Sequence, residues 1–305
     1  MNKDFSALNK LMQDNLKKQT TFSDGIKNLL QLRNKLMEEI DLIFQTTGQE
    51  KFFALPFPKS KGNSNATIAW SIYHIFRIED IVCNSLINNK TQIFFEKDFQ
   101  NRMNSSIITT GNELSNEQMI EFSKVLNIQE LYNYAKLVKE NSEKMMLELS
   151  FEQTKSKIPE EKKEYLRTLK VADDWLIDYW CGKNIRGLLQ MPFSRHWIMH
   201  VEAMRRIKNK LCQQAKKGVD QIAYCGLSCT HCFLTAWCGS CRTIYNTCSF
   251  ATCSPDGVCP NTSCCKEKGL DGCYECSELY NCKKGFYSLG KDTNAIRAMA
   301  LFIQK

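Results

Sequence analysis

Thirteen of the chain's sixteen cysteines fall between Cys225 and Cys282; only Cys83, Cys181 and Cys212 precede them. No other feature constrains the fold as tightly. A segment of about 85 residues with few large apolar side chains buries too little surface to hold itself together, and it needs a staple. The preceding two hundred residues are almost free of cysteine and must fold by ordinary hydrophobic burial. A chain of 305 residues has room for both kinds of domain. The change in composition sets a boundary near "CQQAKKGVDQ", residues 212–221. It predicts a first domain over 1–211, with its core in 22–211, and a second over 222–305.

The kind of staple depends on the compartment. The opening "MNKDFSALNKLMQDNLKK" lacks the apolar core and small-residue cleavage site of a secretory signal. No run of about 18 apolar residues occurs. A cytoplasmic location is therefore expected, where thiols stay reduced and dense cysteines favour metal over disulfides. The spacings agree. Cys225, Cys229 and Cys232 form C-x3-C-x2-C, and Cys238 and Cys241 form C-x2-C. Cys259 and Cys264 form C-x4-C, and Cys273 and Cys276 form C-x2-C, with Cys282 six residues on. Short C-x2-C turns present two sulfurs to one ion, and two such turns complete a tetrahedral site. With His231 added, the ligands suffice for as many as three such sites. Zinc is the expected metal and an iron–sulfur cluster the alternative, because thiolates suit both. The C-x3-C-x2-C spacing also occurs in radical-SAM enzymes, but the (β/α) barrel that carries it there has no counterpart in this chain.

The formal charge of +8 is dispersed, with no basic run beyond pairs such as Lys216-Lys217 and Lys283-Lys284. A solvated surface accounts for it, and direct nucleic-acid binding is disfavoured.

Before the boundary, apolar residues recur at helical spacing. "FSDGIKNLLQLRNKLMEEIDLIF" places Ile26, Leu29, Leu30, Leu36, Ile40 and Ile43 on one side, with Ser23 as the expected N-cap. Further long helices are predicted over 66–87, 128–149 and 193–211, with shorter pieces at 115–126 and 182–190. Strand-type alternation is scarce and no 20–50-residue repeat is present. The expected fold class is mainly α: a four-helix bundle with crossover connections, followed by a small metal-stapled Cys-rich domain.

Two of these helices carry histidine on their apolar side. His196, His200, Ala203, Ile207 and Leu211 follow one line at steps of three and four, as do Trp70, His74, Ile78 and Ile81. Three of the chain's four histidines thus point into one interior, and His74, His196 and His200 become candidate metal ligands. The residues between the pair, Trp197, Ile198 and Met199, include no acid, which excludes the H-E-x-x-H zinc-protease pattern. Glu79 and Asp80 follow His74 on the wrong face for ligation. They are expected to be solvated, with support of a ligand as the alternative role.

With "WSIYHIFRIED" supplying one histidine and "SRHWIMHVEAMRRI" an H-x-x-x-H pair, residues 22–211 resemble the DinB/YfiT-like superfamily of bacterial four-helix bundles. The resemblance implies that His74, His196 and His200 hold one divalent ion (zinc, iron, nickel or manganese). It also implies chemistry on low-molecular-weight thiols, with a thiol S-transferase-like activity the most concrete form. Residues 222–290 resemble a bacterial Cys-rich family of unknown function, through "YCGLSCTHC", "CGSC" and "KGLDGCYECSELYNC". Cys248, Cys253 and Cys265 are surplus to that family's pattern. The expected partners are a small molecule, a thiol by resemblance, and a second copy of the chain; no membrane is expected. The competing function, from another class, is a non-enzymatic interaction or metal- and redox-sensing role carried by the cysteines.

Overall fold

Apolar periodicity is realised as a long series of helices in the computed structural model, which describes residues 3–217, 222–226, 241 and 258–288. The chain divides into two compact units, Met1–Asn209 and Lys210–Lys305. It is mainly helical, with no β-strand among the described residues. In chain order the first unit contains α1 (Lys3–Asn15), α2 (Phe22–Thr46), α3 (Ile68–Asp80), α4 (Ile93–Glu96), α5 (Phe99–Arg102), α6 (Asn116–Val125) and α7 (Ile128–Glu148). Then come α8 (Glu160–Leu169), α9 (Asp174–Cys181), α10 (Ile185–Gln190) and α11 (Arg195–Lys217). The second unit contains α12 (Pro260–Glu267) and short 3-10 turns.

The long helices at α2, α3, α7 and α11 fall where the periodicity places them. Helices α1, α8 and α9 do not come from that reading. Met12 and Leu16 at the end of α1 are fully buried against Phe22, Ile26 and Leu29 of α2. The approach is close: a Cβ on Gly25 would meet Leu16 at 2.8 Å, so only glycine fits there. Ser23 is not the N-cap of α2. The helix starts one residue earlier, capped at Thr21 without a side-chain bond, because the Thr21 hydroxyl donates instead to the Asn15 carbonyl at 2.8 Å. The last helix runs through Lys217 and so enters the stretch, residues 212–221, where the composition sets the boundary.

Helix α3 determines the architecture. Every residue from Ile68 to Asp80 is buried. A helix apolar or paired on all sides is the centre of a packed unit rather than its surface. Its start is fixed by Thr67, whose hydroxyl accepts from the Trp70 N–H at 3.0 Å. It continues as a π-helix over Ile81–Asn88 and stops at Asn89, which takes the left-handed conformation at φ 52°.

In the second unit α12 and the turns Cys273–Glu275 and Leu279–Asn281 surround a core of Cys265, Cys273, Leu279 and Tyr287. Two of those four are cysteines. Among the described residues the apolar part of this core is Leu279 and Tyr287.

Candidate metal centre

Helix α3 contributes His74, and α11 contributes His196 and His200 one turn apart. One ring nitrogen from each lies within 4.8 Å of the other two, and all three residues are buried. The Nε2 atoms of His74 and His196 are 3.2 Å apart. Two imidazoles on a tetrahedral ion at about 2.0–2.1 Å would be separated by about 3.3 Å, so the spacing fits a shared ion. Among the described residues this is the one group of three or more His, Cys or acidic ligand atoms so closely gathered.

His74 is held in a defined state. Its Nδ1 lies 2.9 Å from the Thr110 carbonyl, which can only accept. Nδ1 therefore carries the proton and Nε2 presents its lone pair inward. The Trp70 ring stacks on His74 at 4.5 Å between centroids and 11° between planes. Burial pulls the His74 pKa down to about 4, with the Thr110 bond opposing. Burial, and then the neighbouring imidazoles, hold His196 and His200 well below the ordinary value. All three are neutral at neutral pH, as ligation requires. The Nδ1 atoms of His196 and His200 are buried without a partner. An orphaned polar group costs about 1–3 kcal/mol, so two such rings beside a third are a poor way to fill a core.

The Thr110 carbonyl belongs to a segment that α3 grips along its length. Trp70 Nε1–H donates to the Gly111 carbonyl at 2.9 Å. The Tyr73 hydroxyl lies 3.1 Å from the carbonyls of both Ile107 and Thr109, and Arg77 donates to the Ile108 carbonyl at 2.6 Å. Positions 70, 73, 74 and 77 share one helix face. That face engages all five carbonyls of 107–111. Gly111 sits at φ +78°, and a Cβ there would meet Trp70 Nε1 at 2.7 Å. The clamp thus tolerates no side chain at that position.

Glu79 and Asp80 are not solvated. Both are fully buried, because α3 has no solvent side, and each is paired. Arg33 of α2 forks onto Glu79 at 2.7 and 3.0 Å, and Ser142 of α7 and the Trp197 indole of α11 donate to the same carboxylate at 2.5 and 2.7 Å. One carboxylate thereby joins all four long helices, beside His196. Asp80 accepts from the N–H groups of Ile93 and Phe94 at 2.9 Å and from Tyr134 at 2.8 Å. The alternative expected for Glu79, support of a ligand, is not what is seen either: its bond to α11 goes to Trp197, the neighbour of His196, and not to a histidine.

The candidate cysteines divide. Cys264, Cys273, Cys276 and Cys282 line one small cavity together with Cys265. The Sγ of Cys241 accepts from the Tyr224 N–H at 3.3 Å, Cys259 caps α12, and Cys225 offers its carbonyl to the Tyr287 hydroxyl at 2.5 Å. Cys229, Cys232, Cys238 and His231 lie outside the described residues. No helix among the described residues is long and apolar enough to cross a membrane. A scan of family models found no match to the chain, and a search of curated proteins found none.

Proposed function

We propose that the chain is a two-domain metalloprotein. Its first domain is a four-helix bundle of the DinB/YfiT-like kind that holds a divalent ion on His74, His196 and His200, and its second is a zinc-stapled cysteine module. The observation that carries this reading is the convergence of three buried, neutral imidazoles, one of them oriented by the Thr110 carbonyl. No fourth protein ligand joins them among the described residues, which favours an open site over a closed structural one. Held by neutral ligands alone, an ion of the zinc, iron, nickel or manganese class keeps its full charge and lowers the pKa of a thiol or water that reaches it.

The chain's own residues supply the rest. Thr110 and Trp70 fix the ring of His74, while Glu79 fixes α11 through Trp197. The surrounding core excludes bulk water, with the three histidines 3–7% exposed. By the family resemblance the activity is thiol S-transferase-like. A small thiol would lose its proton to solvent, its sulfur would attack an electrophilic carbon of a second substrate, and that substrate's leaving group would depart with the electron pair of the broken bond.

Metal analysis of His74→Ala and His196→Ala is the test. Each variant is expected to lose one metal equivalent per chain and, with it, transfer onto a panel of low-molecular-weight thiols. Unchanged stoichiometry in both variants would end the histidine-site reading. Retained metal binding without any thiol turnover would end the transferase reading alone.

A further inference from the structure

The second unit contains an arrangement of sulfurs that spacing alone does not select. We infer that Cys265, Cys273, Cys276 and Cys282 form one mononuclear four-thiolate zinc site, with Cys264 excluded from it. This deepens the zinc reading of the cysteine module and is independent of the histidine site.

The C-x4-C spacing pairs Cys259 with Cys264 and leaves Cys265 surplus. The structure puts Cys265 inside instead: it is 2% exposed, while Cys264, like Cys276 and Cys282, is half-buried. Adjacent residues on a helix point about 100° apart, so α12 can turn only one of the two fully inward. The Sγ atoms of Cys265 and Cys273 are 3.6 Å apart. Two thiolates on a tetrahedral zinc at about 2.3 Å would be separated by about 3.8 Å. Cys276 and Cys282 line the same cavity, each at the end of a 3-10 turn.

The free space among these sulfurs is about 20 Å3, of the order a single water needs, which is in keeping with one ion. No three of these sulfurs lie within 4.8 Å of one another, so binding draws Cys276 and Cys282 inward by rotation about χ1.

Donors are already aimed at the sulfurs. Asn261 Nδ2 approaches Cys273 at 3.6 Å, Lys268 Nζ approaches Cys276 at 3.8 Å, and the Lys284 N–H approaches Cys282 at 3.5 Å. Four thiolates around a dication leave a net charge of −2, and the ammonium groups of Lys268 and Lys284 offset it. The Lys284 ammonium lies 3.6 Å from Cys264 Sγ, so the exclusion of Cys264 rests on the inward turn of Cys265 on α12 and its 3.6 Å approach to Cys273.

The test uses the full chain loaded with cobalt, whose sulfur-to-metal charge-transfer band reports thiolates and is silent for the histidine ligands. Cys265→Ser should lower thiolate-bound metal by one atom per chain, and Cys264→Ser should leave it unchanged. If Cys265→Ser does not fold, alkylation of the zinc-loaded wild type with mass mapping decides. Cys276 and Cys282 should be protected with zinc and released together on chelation, while Cys264 is labelled in both states. Loss of metal in Cys264→Ser but not in Cys265→Ser, zinc-independent labelling of Cys276 and Cys282, or a visible iron–sulfur absorbance in protein purified without oxygen would each overturn the assignment. None of these failures would touch the histidine site.

Discussion

The histidine site and the thiol cavity achieve ligand convergence in opposite ways. His74 and His196 are separated by 122 positions and meet because α3 and α11 are joined by the Trp197–Glu79 hydrogen bond and the edge-to-face packing of Phe76 on Trp197. The thiols span only Cys265 to Cys282, and half of the core around them consists of the ligands themselves. On the proposed reading, the first site is preorganised by a packed helical core and the second depends on its metal for its fold. That difference decides what metal removal does to each unit.

The largest expected effect follows directly. Chelation should abolish hydrogen-exchange protection across 258–288 and leave it intact in α2, α3 and α7. Equal protection in both regions after metal removal would break the comparison. Next in size is Glu79→Ala, which removes the fully buried partner of Arg33 and leaves that guanidinium only Glu143, at 3.1 Å, as a carboxylate partner. Breaking one side of a buried pair costs about 3–5 kcal/mol. Urea unfolding of the helical unit should register that loss, while the thiolate-bound metal stays unchanged. A cost under about 1 kcal/mol would show that the carboxylate does not tie the helices together.

The smallest effect is a pH dependence confined to the histidine side. His74 titrates at about 4 when folded against an ordinary 6.5, so the unfolded chain takes up a proton that the folded chain refuses. Its contribution to stability is full above about pH 6.5 and is lost as pH falls towards 4. In metal-free protein, the stability difference between wild type and His74→Asn should shift over that window. A difference flat with pH would contradict the buried, neutral ring.

The parts of this account legible in sequence share one property: they repeat. Apolar steps of three and four gave α2, α3, α7 and α11, and placed His74, His196 and His200 inward. What did not repeat was hidden. Glu79 and Asp80 look solvated because charge on a helix is usually a surface signal, and only their full burial with Arg33 and Tyr134 reverses that. The Thr110 carbonyl that fixes His74 has no side-chain signature at all. A trace was present in the donors Trp70, Tyr73, His74 and Arg77, which recur on one face where a purely apolar stripe would have sufficed. Cys265 was obscured by its neighbour, since spacing cannot say which of two adjacent cysteines a helix turns inward.

The central claim is that three histidines hold one divalent ion with a coordination position left open. Anomalous diffraction at the metal edge, from crystals of the full chain grown with zinc, tests it most directly. The account predicts a peak about 2.0–2.1 Å from one ring nitrogen each of His74, His196 and His200, with a non-protein ligand completing the shell. No peak among the three rings, or a peak closed by a fourth protein side chain, would contradict it.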